Sequence, residues 1–185
     1  MNLSAIKALT GAGKYCTVMN APDGKQWITE GHAAWLVEDV KIESAATMAS
    51  LFNLSEKQRD KARIEIHDTT SPIYCKEDAI GEETLEELGM IWLGGVPYIG
   101  LMSSRGAIWI QAELLKPVRE DYRQYYVRWH DGDAPTVAVY DDLMTCKAIV
   151  LPLTNGGGEM LRKKAEEMCA PIAEWTVDRA DIKEA

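Results

Sequence analysis

The first 38 residues combine a helical spacing of apolar side chains with short runs of strand-forming residues. Leu3, Ile6 and Leu9 recur every three residues, which predicts a helix over 2–12. Runs rich in β-branched and aromatic residues follow, and each is bounded by turn-forming residues. They predict three strands, over 15–20, 26–30 and 32–37.

A second run of the same type begins at residue 107. Its predicted elements are a strand, a helix and three further strands, over 107–111, 112–118, 122–129, 135–140 and 145–151. Both runs contain an Asp-Gly turn signal, Asp23-Gly24 in the first and Asp131-Gly132 in the second. The shared order is helix, strand, Asp-Gly turn, strand, strand, which indicates either an internal duplication or a coincidence of pattern.

The pattern between the two runs is less regular. It predicts three helices, over 44–53, 55–62 and 81–88. It also predicts a strand over 64–67, and a strand, a turn and another strand within 90–101, where Gly94-Gly95 interrupts an apolar run. A last helix is predicted over 159–168.

These elements predict an α+β fold with antiparallel sheets, built from two helix-plus-three-strand units. The units form a single domain over 1–153, with an insertion between them and a C-terminal helix and tail after them. The predicted bounds are 1–38 and 106–153 for the units, 39–105 for the insertion and 159–185 for the helix and tail.

Composition agrees with a folded domain, because 46% of the 185 residues are hydrophobic. The net charge of −9 excludes a generically basic nucleic-acid binder. The charge is uneven, since residues 38–89 hold 13 acidic and 6 basic side chains. The rest of the chain is therefore nearly neutral, which leaves room for a weakly basic surface.

Cysteine spacing and hydropathy bear on the compartment. Cys16, Cys75, Cys146 and Cys169 form no CxxC pair, so neither a zinc site nor a disulfide framework is indicated. The N-terminus has no long apolar core, and no stretch approaches the roughly 18 apolar residues of a membrane span. We therefore expect a cytoplasmic protein with buried thiols and no membrane partner.

Catalytic motifs are missing from the sequence. It has neither a nucleophile elbow nor a phosphate-binding loop of the GxxxxGK[ST] type. His32, His67 and His130 are the only histidines, and their neighbouring carboxylates are common in turns. We therefore predict no catalytic residue, no metal site and no cofactor, and favour a non-enzymatic protein.

The segment GAIWIQAELLKPV, followed by PTVAVYDD and KAIVLPL, resembles one half of a DNA sliding-clamp domain. Leu114-Leu115 after the entering strand and Leu151-Pro152 at the closing strand are typical of that family of processivity factors. The resemblance covers residues 106–153, and 2–38 more loosely. It implies duplicated βαβββ units whose helices face DNA, although clamp subunits carry two or three such domains and this chain has room for one.

The resemblance implies that cations on or beside the two predicted helices contact DNA. The DNA-contact candidates are Lys7, Lys14, Lys116, Arg119 and Arg123. The alternative is that these side chains are simply solvated on helix surfaces.

Six tryptophans accompany a single phenylalanine. Among the aromatic residues, Trp175, Tyr125 and Trp129 are candidates for partner contacts. The alternative is packing within the core or across strands.

The leading hypothesis from the sequence is a non-enzymatic, DNA-associated or replication-accessory protein with a clamp-like domain. We expect an origin in a phage or mobile element, a partner that is DNA or a replication protein, and self-association into a homo-oligomer. One alternative is a protein–protein interaction module that uses the acidic insertion. Another is an enzyme whose site has no recognisable local motif.

Overall fold

The computed structural model describes residues 1–38, 40–71, 82–118, 123–130 and 135–153. Within them, the chain forms three short α-helices, one 3₁₀ turn and ten strands. The helices are α1 (Leu3–Leu9), α2 (Ala45–Leu51) and α3 (Glu56–Arg59), and the 3₁₀ turn is Ala112–Leu115. The strands are β1 (Cys16–Asn20), β2 (Gln26–Thr29), β3 (Ala33–Val37), β4 (Ile64–Asp68), β5 (Glu83–Leu93), β6 (Val96–Ser103), β7 (Gly106–Gln111), β8 (Gln124–Trp129), β9 (Pro135–Tyr140) and β10 (Cys146–Val150).

All ten strands belong to one sheet of a mixed α+β fold, in the order β4-β1-β2-β3-β10-β9-β8-β5-β6-β7. Every pairing is antiparallel except that of β1 with β4. The two predicted three-strand units are present as meanders, β1-β2-β3 and β8-β9-β10. The third strands of the two meanders, β3 and β10, pair with each other at a central seam. On either side of this seam, the second strand and then the first strand of the same meander follow outward.

The helices α1 and α2 and the 3₁₀ turn pack on one face of this sheet. Ile6 of α1, Met48 of α2 and Leu115 of the 3₁₀ turn are fully buried in the same core cluster. Trp35 on β3 joins the two units, because its Nε1 donates a hydrogen bond to the carbonyl oxygen of Leu114 at 2.9 Å. The opposite face carries a second apolar cluster that includes Trp27, Leu36, Ala138 and Tyr140.

Local signals account for the helix starts. The side chain of Asn2 accepts a hydrogen bond from the Ala5 amide at 3.1 Å and so caps α1. Ser44 caps α2 in the same way, and Ser55 forms a capping box with Gln58 at the start of α3.

Several sequence predictions need correction. The acidic segment 81–88 is not a helix, because β5 runs from Glu83 to Leu93 and its first residues pair with β8. The helix predicted over 112–118 is limited to the 3₁₀ turn. The predicted insertion contributes β4, β5 and β6 to the same sheet as both units.

Other predictions are confirmed or fall outside the described residues. The strand, turn and strand within 90–101 are confirmed, and the turn lies at Gly94-Gly95. The C-terminal helix lies outside the described residues. None of the helices in the described part of the chain is long and apolar enough to cross a membrane.

Candidate nucleic-acid interface

The cations predicted to contact DNA after the 3₁₀ turn are engaged in local bonds. Lys116 forms an ion pair with Glu113 at 2.8 Å. The Nη2 atom of Arg123 donates to the carbonyl oxygens of Leu115 at 2.9 Å and Val118 at 2.5 Å. Arg123 therefore holds the end of this turn in place, and Arg119 lies outside the described residues.

Lys7 and Lys14 lie at the other end of the helical layer. Lys7 is in the last turn of α1, and its Nζ donates to the carbonyl oxygen of Asn53 at 3.3 Å. Lys14 is exposed and follows a tight turn in which Gly11, Ala12 and Gly13 all have positive φ. This turn directs the chain from α1 into β1, beside the segment that carries α3.

Four further cations lie on that neighbouring segment, and sequence reasoning missed them. They are Lys57, Arg59, Lys61 and Arg63, and all four are exposed. Their spacing of two residues is visible in the sequence. The net negative charge of the surrounding region, 38–89, obscured the positive charge of this segment.

Two backbone contacts bring this segment next to the turn at Lys14. The Arg63 amide donates to the carbonyl oxygen of Gly13 at 2.9 Å. A Cβ placed on Gly13 would lie 3.5 Å from the Cβ of Ala62, so the two chain segments are in van der Waals contact. Lys14 and Arg63 are therefore adjacent on the surface.

We call the six side chains the basic cluster: Lys7, Lys14, Lys57, Arg59, Lys61 and Arg63. Within 7–14 and 56–63, Glu56 and Asp60 are the only acidic residues, which gives these two stretches a net charge of +4 in a chain of net charge −9. Among the residues that the structure describes, none of the six forms an ion pair. Their charges are therefore available to an anionic partner.

A shallow groove of about 500 Å³ borders the basic cluster between α2 and β4. Arg59, Arg63 and the acidic residue Glu65 line it, together with alanines of α2 that include Ala46 and Ala49. The small alanine side chains leave the two guanidinium groups accessible from the groove. Arg59 is also oriented by its Nε, which donates to the carbonyl oxygen of Leu54 at 3.1 Å.

Of the aromatic residues predicted as partner contacts, the structure describes Tyr125 and Trp129. Tyr125 is only 6% exposed and belongs to the main core, so its role is packing, as the alternative interpretation held. Trp129 is half-buried, and the guanidinium carbon of Arg105 lies 4.2 Å from its ring centroid. Trp175 lies outside the described residues.

Glu83 at the start of β5 fixes the turn that carries Arg105. Its carboxylate accepts hydrogen bonds from the amide and the hydroxyl of Ser104, the latter at 2.9 Å. These bonds lower the pKa of Glu83, with smaller contributions from Trp129 and Arg105. The Glu83–Ser104 bonds therefore fix the turn that places Arg105 over the ring of Trp129.

A polar cleft of about 360 Å³ lies beside β3 and β9. Lys147 is paired with two carboxylates of this cleft, since its Nζ bonds to Glu38 and to the Oδ2 of Asp141 at 3.1 Å. Burial opposes ionisation of Asp141, but the Thr145 amide and Lys147 outweigh it and lower its pKa. The single positive charge of Lys147 is thus shared by two carboxylates, and the formal net charge of the three groups is −1.

Each of the three histidines contacts a different residue. His67 lies on the edge strand β4 and contacts Glu65 at 3.1 Å, and His32 contacts Glu30 at 3.0 Å. His130 contacts Thr136 at 2.9 Å. No group of three or more potential metal ligands occurs within the described residues.

The thiols that the structure describes are buried, as expected. Burial raises the pKa of Cys16 to about 12 and that of Cys146 to about 11. Cys75 and Cys169 lie outside the described residues.

Comparisons with protein-family models, curated proteins and solved structures give no match to this chain.

Proposed function

We propose that this protein is a non-enzymatic, DNA-associated protein that contacts phosphates through the basic cluster. The observation that carries the proposal is the gathering of six cations from three segments, without ion pairs among the described residues, in an acidic chain. Unpaired lysines and arginines on one surface attract a polyanion and release its counterions on binding.

The composition of the cluster favours binding that does not depend on DNA sequence. Lysine side chains supply four of its six charges, and they bind phosphates as flexible point charges. Contacts to phosphates fix position but carry no sequence information. We therefore expect similar affinities for duplexes of different sequence.

The arrangement of the two meanders supports the clamp-like part of the proposal. In the sliding-clamp family, duplicated units place their helices on one face of the sheet. Here α1 and the 3₁₀ turn pack on the same face, and the Asn2 amide donates to the carbonyl oxygen of Pro117 at 2.9 Å. A replication-accessory role is the biological form of the proposal that agrees with this resemblance.

The test is a titration of a fluorescently labelled DNA duplex at several salt concentrations, followed by anisotropy. Six phosphate contacts predict a slope of about −5 for log K against log[salt], and a loss of affinity of about 10³-fold between about 50 and 200 mM salt. In the variant K14E/K57E/K61E, three cations that make no side-chain bond to a described residue are reversed. We expect this variant to bind weakly and to reduce the slope by about 3.

Two charge-reversal variants outside the basic cluster test whether this cluster is the surface that binds DNA. Lys25→Glu reverses a cation at the far end of β1, and Lys116→Glu reverses the paired cation beside Glu113. Both should bind DNA as the unmodified chain does, and circular dichroism should show that every variant is folded. Absence of DNA binding at low salt would overturn the proposal, and loss of binding in Lys116→Glu alone would overturn the assignment to the basic cluster.

A second candidate function is protein–protein interaction. Large apolar side chains exposed on β5 favour it, in particular Met90 and Trp92. This surface is separate from the basic cluster.

A further inference from the structure

The second half of β5 leaves the central sheet. Glu83 to Leu85 pair with β8, whereas the residues from Glu86 onward pair only with β6. A bulge at Leu88 and the positive φ of Gly89 mark this departure. Among the described residues, the other edge of β5 from Glu86 to Leu93 has no strand partner.

The turn at the end of β5 determines which backbone groups face the unpaired edge. Gly94 and Gly95 have φ values of +58° and +83°, typical of a two-residue type I′ hairpin closed by Leu93 and Val96. The closing pair of such a hairpin exchanges both hydrogen bonds, and bonded and non-bonded pairs alternate from there. The N–H and C=O groups of Met90 and Trp92 therefore point away from β6.

The side chains of the same two residues are exposed. Met90 is 53% exposed and Trp92 is 67% exposed. Met90 lies opposite Ile99, so the two side chains share a face, and Ile99 belongs to the main core. The exposed pair is therefore the uncovered margin of the apolar face that the core buries, on an edge that has no strand partner in the described part of the chain.

We propose that this edge of β5 pairs antiparallel with the same edge of a second copy of the chain, about a two-fold axis at Ile91. In this register, Met90 lies opposite Trp92 of the partner subunit, and the reverse pair is formed on the other side of the axis. The outward-pointing N–H and C=O groups of both residues form hydrogen bonds, and a methionine sulfur contacts an indole ring twice.

The charges of Glu86 and Glu87 favour antiparallel pairing of the two β5 edges over parallel pairing. Glu86 and Glu87 lie at one end of the unpaired edge, and Leu93 and the Gly94-Gly95 turn lie at the other. Antiparallel pairing places the two glutamates opposite the uncharged turn of the partner subunit. Parallel pairing in register would place them opposite their own copies, which is destabilising.

The first experiment measures mass by light scattering over a range of protein concentrations. The unmodified chain should have twice the mass of one chain at tens of micromolar. Trp92→Glu should be a monomer that retains its circular dichroism spectrum. A monomeric unmodified chain would overturn the proposal, and so would a dimer that persists in Trp92→Glu.

The second experiment tests the register by a disulfide, in a background in which Cys75 and Cys169 are replaced by serine. Ile91→Cys places one thiol beside its copy at a non-hydrogen-bonded pair, where Cα atoms lie about 4.5 Å apart, within the range of a disulfide. Mild oxidation should yield a covalent dimer. Leu93→Cys, two residues from the axis on the same strand, is the control and should give little product. Equal cross-linking of both variants would overturn the register.

Discussion

Arg128 and Glu82 form an ion pair in which the side chains are only 4% and 1% exposed. The Nε of Arg128 donates to Glu82, and its Nη2 donates to the hydroxyl of Tyr140 at 2.8 Å. The Tyr140 hydroxyl in turn lies 3.4 Å from Glu82, and burial raises the pKa of Tyr140 to about 12. The pair connects the start of β5 to β8 and β9.

Replacing one partner of this pair should strongly destabilise the protein. Glu82→Gln removes the negative charge that Glu82 places beside the buried guanidinium of Arg128, and we expect a loss of about 3–5 kcal/mol in the free energy of unfolding, measured with urea. The double variant E82M/R128M should recover most of this loss, because an apolar pair carries no desolvation cost. The exposed pair Lys116–Glu113 is the control, and Glu113→Gln should cost less than about 1 kcal/mol. A similar small cost for Glu82→Gln would contradict the burial of the pair.

Gly100 provides a second prediction, because it lies against a buried ring. A Cβ at this position would lie 2.8 Å from Cζ3 and 2.9 Å from Cη2 of Trp109, which is 7% exposed. Gly100→Ala should therefore cost about 1–3 kcal/mol of the free energy of unfolding, again measured with urea.

A double-mutant cycle separates this contact from a backbone effect. In the background Trp109→Leu, the added methyl group meets a smaller side chain, so Gly100→Ala should cost at least about 1 kcal/mol less. An equal cost in both backgrounds would show that Trp109 is not the cause.

Replacing Ala12 by glycine should stabilise the protein. It has a φ of +59°, which is unfavourable for a residue with a Cβ by about 1–2 kcal/mol. Ala12→Gly removes this cost but adds about 0.5–1 kcal/mol of backbone entropy, so a net gain of about 0.5–1 kcal/mol is expected in thermal unfolding. Ala8→Gly, within α1, is the control and should lose about 1 kcal/mol. A lower melting temperature for Ala12→Gly would refute the left-handed conformation at this residue.

Asp141 should make stability depend on acid pH. Its pKa is lowered in the folded state, so its ionised form stabilises the fold at pH values above its unfolded pKa of about 3.9. This contribution is lost as the pH falls through the folded pKa. Asp141→Asn should therefore be less stable than the unmodified chain at pH 5–7, and the difference should shrink below about pH 4. Asp142→Asn, at an exposed neighbour, is the control. A difference that stays constant down to pH 2 would contradict the role of Asp141.

Local signals were sufficient to predict the two meanders. The turn at Asp23-Gly24 holds its own geometry, since the Asp23 carboxylate accepts from the Lys25 amide at 3.0 Å and Gly24 has a φ of +84°. The helix predicted over 81–88 was wrong. The glutamates of this segment favour a helix, whereas its pairing with β8 and β6 makes it a strand. Such pairing joins residues far apart in the chain, which no local pattern records.

The candidate site was predicted only in part. Lys7 and Lys14 were identified, and the contact that brings Arg63 beside Lys14 is a backbone bond between segments 50 residues apart. The bonds of Arg123 to the carbonyl oxygens of Leu115 and Val118 could not be predicted from the sequence, because every residue provides a carbonyl oxygen. Charge patterns in a sequence indicate which side chains are cationic, and folding determines which of them remain available to a partner.

The central seam has a consequence for how the chain folds. β3 is complete by Val37, but its outer edge is paired only once Cys146–Val150 has been synthesised. During translation the first meander therefore waits for more than 100 residues with an apolar strand edge unpaired, at a stage when aggregation competes with folding. Closing so long a loop also predicts slow refolding, with the seam among the last contacts to form.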